Sequence, residues 1–517
     1  MRVRANPRQR AAVGRSVTVP APVGGWNARD PSANMSATDA VILKNIFPAT
    51  TECVLRSGYS VWATGLPDQV ETLMTYEGGG ATSEMWAVSE GKIYDVSSGG
   101  AVGAAAVTGL SDSRFQCANV TTAGGIFLYA ANGLDKPQLY DGATWTAIDG
   151  ASVPAITGVT TTKLNNPILF KNRVFFTEAG ALKTWYLPVQ SVGGAAAAVD
   201  MSAFAQMGGY IVNHGTWTID AGSGVDDYYV AVTNKGEVLV YEGTDPSDAT
   251  KWALKGVWRI GAPVGTRCLY KYAGDLLIIS QDGILPMSSA LQSSRVNPRV
   301  ALTDKIQYAI STAVTGYGAN FGWELMYYPK ENQLWLNVPV SVGYQEQYVM
   351  NSITKNWCQF TGWAANCFEL WGDAPYFGGN GVVYKAWDTH SDNGTWITGV
   401  GLCAFNPYGN PGNRKRFTMS RPVLRVTGRP SVFCGINVDF DTTEPIDPTT
   451  FSPVTTAEWG SSLWGSALWG SGLNVQQSWQ SVSSQGFYGA PQLKVVSSGV
   501  DVRWVSTDVV FETGGML

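Results

Sequence analysis

Short apolar runs, each broken by a tight Gly or Asn turn and resumed by a second run ending in Tyr or Trp, recur about every 40–55 residues between residues 83 and 390. The first reads Met85-Trp86-Ala87-Val88, Ser89-Glu90-Gly91, Ile93-Tyr94-Asp95-Val96. Residues 126–130, Asn132-Gly133 and Leu139-Tyr140 with Trp145 form the second, and residues 174–177, Ala179-Gly180 and 182–187 the third. Residues 228–233, Asn234-Lys235-Gly236 and 238–241 with Trp252 follow, then residues 268–272, Ala273-Gly274 and 276–279. The last two run through residues 325–328, Glu331-Asn332 and 334–338, and through Phe377, Gly378-Gly379-Asn380-Gly381 and 382–387. Strand repeats of this length are the mark of a β-propeller, so the pattern predicts an all-β chain of about six or seven hairpin units over residues 36–400.

The flanks have a different texture. Residues 1–35 read as an extended arm, because Pro20, Pro22, Gly24-Gly25 and Pro31 block regular structure. Residues 36–47 predict a helical turn or two ending before Pro48. One longer helix is expected after Thr303, with Ile306, Ala309, Ile310 and Ala313 on one face and Gly316 as its stop. Beyond the turn cluster at residues 406–412, alternation over 423–426, 431–438, 492–496 and 502–505 predicts a C-terminal β-sandwich over residues 401–517. Inserted in it, residues 459–472 repeat Trp-Gly-Ser with a period of five, which suits neither a strand nor a helix face. One turn per repeat, with stacked indoles, is the simpler geometry. Trp459, Trp464 and Trp469 are therefore either local packing or a docking face for a partner.

At 517 residues the chain exceeds one simple core, a limit that a propeller evades because each blade packs only on its neighbours. Charged residues make up only 15%, consistent with a surface partly covered by other subunits. The net charge is −5, unevenly spread. Arg2, Arg4, Arg8, Arg10 and Arg15 stand in an acid-free start, leaving 30 basic against 40 acidic residues, a body at −10. Such an arm is either solvated or laid on an acidic partner or nucleic acid. Seven scattered cysteines without a CxxC pair, and no hydrophobic leader, read as buried free thiols in a non-secreted protein. No apolar stretch is long enough to span a membrane.

Chemistry-bearing motifs are sparse. His214 and His390 are the only histidines; neither has partners at metal spacing nor stands in a nucleophile elbow. His214 reads as a locally bonded turn residue. Asp226-Asp227 is the one adjacent acidic pair weighed for glycosidase chemistry, and it reads as a cap on a blade turn. The loop Asp388-Thr389-His390-Ser391-Asp392-Asn393-Gly394 alternates oxygen ligands like a Ca²⁺ loop but lacks the closing Glu. No catalytic residue, cofactor site or metal site is assigned, and the chain is not read as an enzyme.

The order of features, more than any one motif, resembles the nozzle (tail hub) proteins of short-tailed bacteriophages. The similar stretches are residues 39–48, 55–59, 91–94 and Gly215-Thr216-Trp217. They continue through the strand pair at 267–272 and 275–280, residues 288–298, the helix after Thr303, and residues 324–328, 333–339, 347–351 and 356–360. The likeness spans roughly residues 25–440 and includes neither the Trp repeat nor the Arg-rich start. It implies a virion protein, assembled in the host cytoplasm into a homohexameric ring below the tail adaptors, with fibre, spike or needle proteins nearby. Double-stranded DNA would pass through its lumen unread, and a loop would gate the channel; residues 201–210, with Gly208 and Gly209 as hinge, are the candidate. The competing reading is a receptor- or glycan-binding tail protein using the Trp-rich region.

Overall fold

The computed structural model describes residues 14–79, 83–220, 225–290, 298–444 and 473–516. They form two compact units, one of residues 59–355 with 360–388, the other of residues up to 58, 356–359 and from 389 onward.

The first unit is a β-propeller of seven successive antiparallel blades, the first and last of which share one sheet. Blade 2 is Gln116–Thr122, Gly125–Ala131, Gln138–Tyr140 and Trp145–Ala147, and blade 3 is Leu164–Phe170, Arg173–Glu178, Lys183–Tyr186 and Ala197–Asp200. Blade 4 comprises Ile211–Asp220, Val225–Thr233, Glu237–Gly243 and Trp252–Arg259. Blade 5 has three strands, Leu269–Tyr272, Asp275–Ser280 and Gly283–Pro286. Blade 6 is built on Glu324–Tyr328, Gln333–Ser341 and Tyr344–Asn351, and blade 7 on Cys367–Trp371, Ala374–Gly378 and Asn380–Ala386.

The middle strands are apolar on both faces because a neighbouring blade covers each face, the same reason that buried parallel strands lose their alternation. Met74, Trp86 and Val88 of blade 1, which is built on residues 70–77, Ser83–Ser89 and Lys92–Asp95, pack on Leu128, Ala130 and Tyr140 of blade 2. Tyr129 and Leu139 then meet Val174 and Phe176, and Phe175 and Tyr186 meet Tyr229 and Leu239. Val230 and Val240 pack on Leu276 and Ile278. Blade 6 joins blade 5 through Tyr327 on Tyr272, ring centroids 5.1 Å apart, and joins blade 7 through Trp335 on Phe368 at 5.4 Å. Cys367, Tyr376 and Val383 of blade 7 close the circuit on Leu73, Met85 and Ala87 of blade 1.

One strand seals the ring. The first part of Tyr59–Glu77 pairs with Asn380–Ala386 as the outer strand of blade 7 (Val383 opposite Ala63). Its second part pairs with Ser83–Ser89, which is followed by Lys92–Asp95, to make blade 1 (Leu73 opposite Ala87). Gly65, at φ +89°, and Pro67 stand where the strand passes between the two sheets. The expected helix is present as a 3₁₀ turn, Asp304–Ile306, leading into Gln307–Tyr317 with Ile306, Ile310 and Ala313 buried. Gly316 does not stop it; Gly318 does, its N–H donating to Val314 O at 2.9 Å.

The second unit is a β-sandwich. One sheet centres on Asn413–Val426 and Val502–Met516, flanked by Asn474–Gln477, Gln480–Gly486, Arg15–Pro20, Ile46–Pro48 and Cys53–Leu55. The other contains Gly25–Trp26, Asp39–Lys44, Ile397–Cys403, Gly489–Ser497 and Ser431–Val438. Gly401 lets the sheets approach: a Cβ there would lie 2.6 Å from Cζ3 of the buried Trp504. A buried ion pair fixes the base, with the Arg56 guanidinium forked on Asp392 at 2.7 and 2.6 Å and its Nε donating to Asn45 Oδ1 at 2.9 Å.

Two boundary expectations are corrected here. Residues 36–58 belong to the sandwich, not the propeller, and residues 39–44 form a strand where a helical turn was expected. The β-branched Val41 and Ile42 find a partner strand in Ile397–Cys403, and that pairing outweighs the local Ser36/Thr38 cap signal. From Arg15 onward the N-terminal arm is extended but not free. Residues 15–20 run antiparallel along residues 506–511, and Gly25–Trp26 runs parallel to Asp39 and Ala40.

Candidate functional site at the propeller axis

The innermost strands carry polar side chains among their apolar ones, and several of these meet at the axis. Arg267, just before the first strand of blade 5, reaches across it. Its Nη1 donates to Glu324 Oε2 of blade 6 at 2.9 Å. Its Nη2 donates to Glu71 O at 3.0 Å and Thr72 Oγ1 at 2.9 Å in blade 1, and to Phe115 O at 3.1 Å at the start of blade 2. Glu324 Oε1 in turn accepts the N–H of Phe368 in blade 7. Five blades thus meet around one guanidinium. The Phe321 ring caps this hub, with the Arg267 and Arg114 guanidiniums 5.1 and 4.5 Å from its centroid.

A second carboxyl, Glu369, stands beside the hub and is half-buried, with Thr75 Oγ1 at 3.4 Å. Burial, reinforced by the charge of Glu324, pushes it up to about 8. Burial also lifts Glu324 above the usual range, with Arg267 opposing the rise. Cys117 and Cys367 border the same cluster, and burial keeps both as thiols, Cys117 near 12. Because a free glutamate titrates near ~4.3, the folded chain holds a proton on Glu369 that the unfolded chain has lost between about pH 4 and 8. That term therefore weakens the fold as pH rises through this window, and is flat above it. Glu369→Gln, neutral at every pH, is expected to melt higher than the parent at pH 8–9 by about 1–3 kcal/mol, the gap closing toward pH 4.5. Overlaid melting-temperature profiles for the two proteins would refute this titration.

Beside the hub lies a cavity of about 320 Å³ between the inner strands of blades 2 to 5. Gln116, Cys117, Asn166, Ile168, Asn213, Thr216, Leu269 and Lys271 are among its walls. His214 forms part of the back wall. It is not a turn residue but a buried strand residue of blade 4, bonded through Nδ1 to Tyr229 Oη at 2.5 Å and through Nε2 to Asn166 O. Desolvation lowers it to about 4, so it is neutral at physiological pH.

The residues singled out from the sequence are scattered. Arg2, Arg4, Arg8, Arg10, Trp459, Trp464 and Trp469 lie outside the described residues. Arg15 is exposed on its strand, opposite Phe511. Gly208 and Gly209 take φ of +65° and +92° in the link between blades 3 and 4. That link is pinned by the buried Glu237, whose two oxygens accept the N–H groups of Gln206 and Met207, both at 3.0 Å. Asp227 is inside a strand, not a cap before one, and accepts from Thr218 Oγ1 at 2.8 Å. In the Ca²⁺-like loop both carboxylates are engaged by cations, Asp388 by Lys385 and Asp392 by Arg56. The hub itself escaped sequence reasoning, since residues 72, 115, 267, 324 and 369 are brought together only by ring closure.

No family model and no curated protein matches the chain. Among solved structures it is similar to BBS1N in complex with ARL6DN, in one structure soaked with mercury and in another soaked with lead. Each is 10% identical, spans 65% of this chain and 99% of its own, with TM-scores of 0.40 and 0.39.

Proposed function

We propose that this chain is a structural virion protein, the nozzle of a short phage tail, forming and gating the distal DNA-ejection channel as a ring of copies. The order of sequence features from the lead-in at residue 39 to the strand at 357–360 supports that reading. The observation that carries it furthest is the crossed axis. Arg267 and Phe321 cross the centre of the propeller, so in this reading the duplex does not pass through one copy but runs between copies. A wall at −10 beyond its Arg-rich start suits passage better than capture, because every Lys or Arg contact to phosphate adds affinity. Phe204, Met207 and Tyr210, 44%, 47% and 43% exposed, project from the link held by Glu237 and supply apolar contact area for a neighbour or a gate.

Single-particle cryo-EM of the protein co-expressed with its neighbouring tail genes tests the proposal. A sixfold ring with a lumen near duplex width is expected. A monomer in the presence of those neighbours would overturn it and favour the glycan-binding alternative.

A further inference from the structure

The axial cavity beside the hub has the chemistry of a binding site. Its walls carry no Asp or Glu, and its one formal cation, Lys271, has no carboxylate partner among the described residues. Lys271 and Leu269 alternate along the inner strand of blade 5 with Tyr270 and Tyr272, whose rings turn instead to blade 6. Two further wall groups, the Gln116 carboxamide and the Thr216 hydroxyl, make no side-chain hydrogen bond within the described residues. Asn166 is 3% exposed, and its Nδ2 donates to Thr177 Oγ1 and Val212 O, but its Oδ1 has no partner. Pro167, Ile168, Leu269 and Leu276 supply an apolar wall.

We propose that this cavity binds a small carboxylate. The carboxylate would take the Lys271 ammonium and the Thr216 and Gln116 donors. At about 320 Å³ the cavity stands at the small end of ligand pockets. The walls select for charge by sign: one cation, no anion, and an imidazole whose two nitrogens are already bonded within the protein.

Isothermal titration of the full chain with L-malate and L-glutamate, and with malamide as the uncharged control, tests the assignment. One or both carboxylates are expected to bind saturably, at least tenfold tighter than malamide. Lys271→Met, which keeps the apolar stem, should weaken that binding at least tenfold. Ala118→Leu, which fills the cavity, should abolish it, and both variants should keep the parent's melting temperature without ligand within a few degrees. No saturable binding of either acid up to about 20 mM, or binding untouched by Ala118→Leu, would overturn the site. Binding that survives Lys271→Met unchanged would overturn the carboxylate class.

Discussion

Arg267→Ala is expected to lower the stability of the propeller by about 3–5 kcal/mol, the usual cost of removing one partner from a buried ion pair. The loss has two parts. Glu324 keeps its buried charge with only the Phe368 N–H to answer it, and the Glu71 and Phe115 carbonyls lose their donor. Arg267→Lys should recover little, because an ammonium cannot reproduce the planar fork that spans blades 1, 2 and 6. In Arg267→Ala/Glu324→Gln the stranded charge is gone, so the double variant should be more stable than the sum of the single effects by about 1–3 kcal/mol. Urea denaturation followed by tryptophan fluorescence measures the parent, Arg267→Ala, Arg267→Lys, Glu324→Gln and the double variant. A loss below about 1 kcal/mol in Arg267→Ala would mean that solvent enters the axis and replaces the guanidinium, and the hub would not be what holds the blades together.

The second large effect belongs to the sandwich. Arg56→Ala leaves the buried Asp392 carboxylate without its forked partner and removes the Nε–H bond to Asn45 Oδ1, again about 3–5 kcal/mol. Asn45 itself sits at φ +55° and donates through Nδ2 to Thr398 O at 2.9 Å, so the strain it bears is supported by the same cluster. Hydrogen exchange should show it locally, with faster exchange of the Thr395 N–H on Asp392 O and of the Arg56 N–H on Asn45 O where that amide remains in the variant chain. Replacing both partners, as Arg56→Met with Asp392→Leu, is expected to return most of the lost stability, since an apolar pair of similar volume carries no desolvation cost. A double variant as unstable as Arg56→Ala would assign the loss to the Asn45 contact and not to the charge.

The sequence makes some of this architecture plain and hides the rest for identifiable reasons. Each of the seven apolar hairpins marks one blade, because the middle strands are covered on both faces and must be apolar throughout. Their phase slips in two places. Residues 268–279 and 325–338 are the first and second strands of their blades, whereas in the others the hairpin is the second and third. The innermost strands are the ones that escape. Gln116-Cys117-Ala118-Asn119 and Asn213-His214-Gly215-Thr216 look like loops by composition, and they are polar because they face a cavity and a hub instead of a neighbouring sheet. His214 was expected in a turn for that reason. The contribution of residues 39–58 to the sandwich is equally hidden, since the strands that receive them lie about 360 and about 450 residues onward.

The strand Tyr59–Glu77 also sets an order of events during synthesis. One edge of its first part pairs with Gly100–Ala101 and the other only with Asn380–Ala386, so that second edge of residues 59–69 waits while roughly 320 further residues emerge. At about 5–20 residues per second that is about 15–60 s in which six partly formed blades stand as an open arc with an unpaired strand edge at one end. Such an edge is a template for the wrong partner, including the same strand of another nascent chain. Yield of this protein should therefore depend on how fast it is made and how crowded its ribosomes are, well before any question of the finished ring's stability arises.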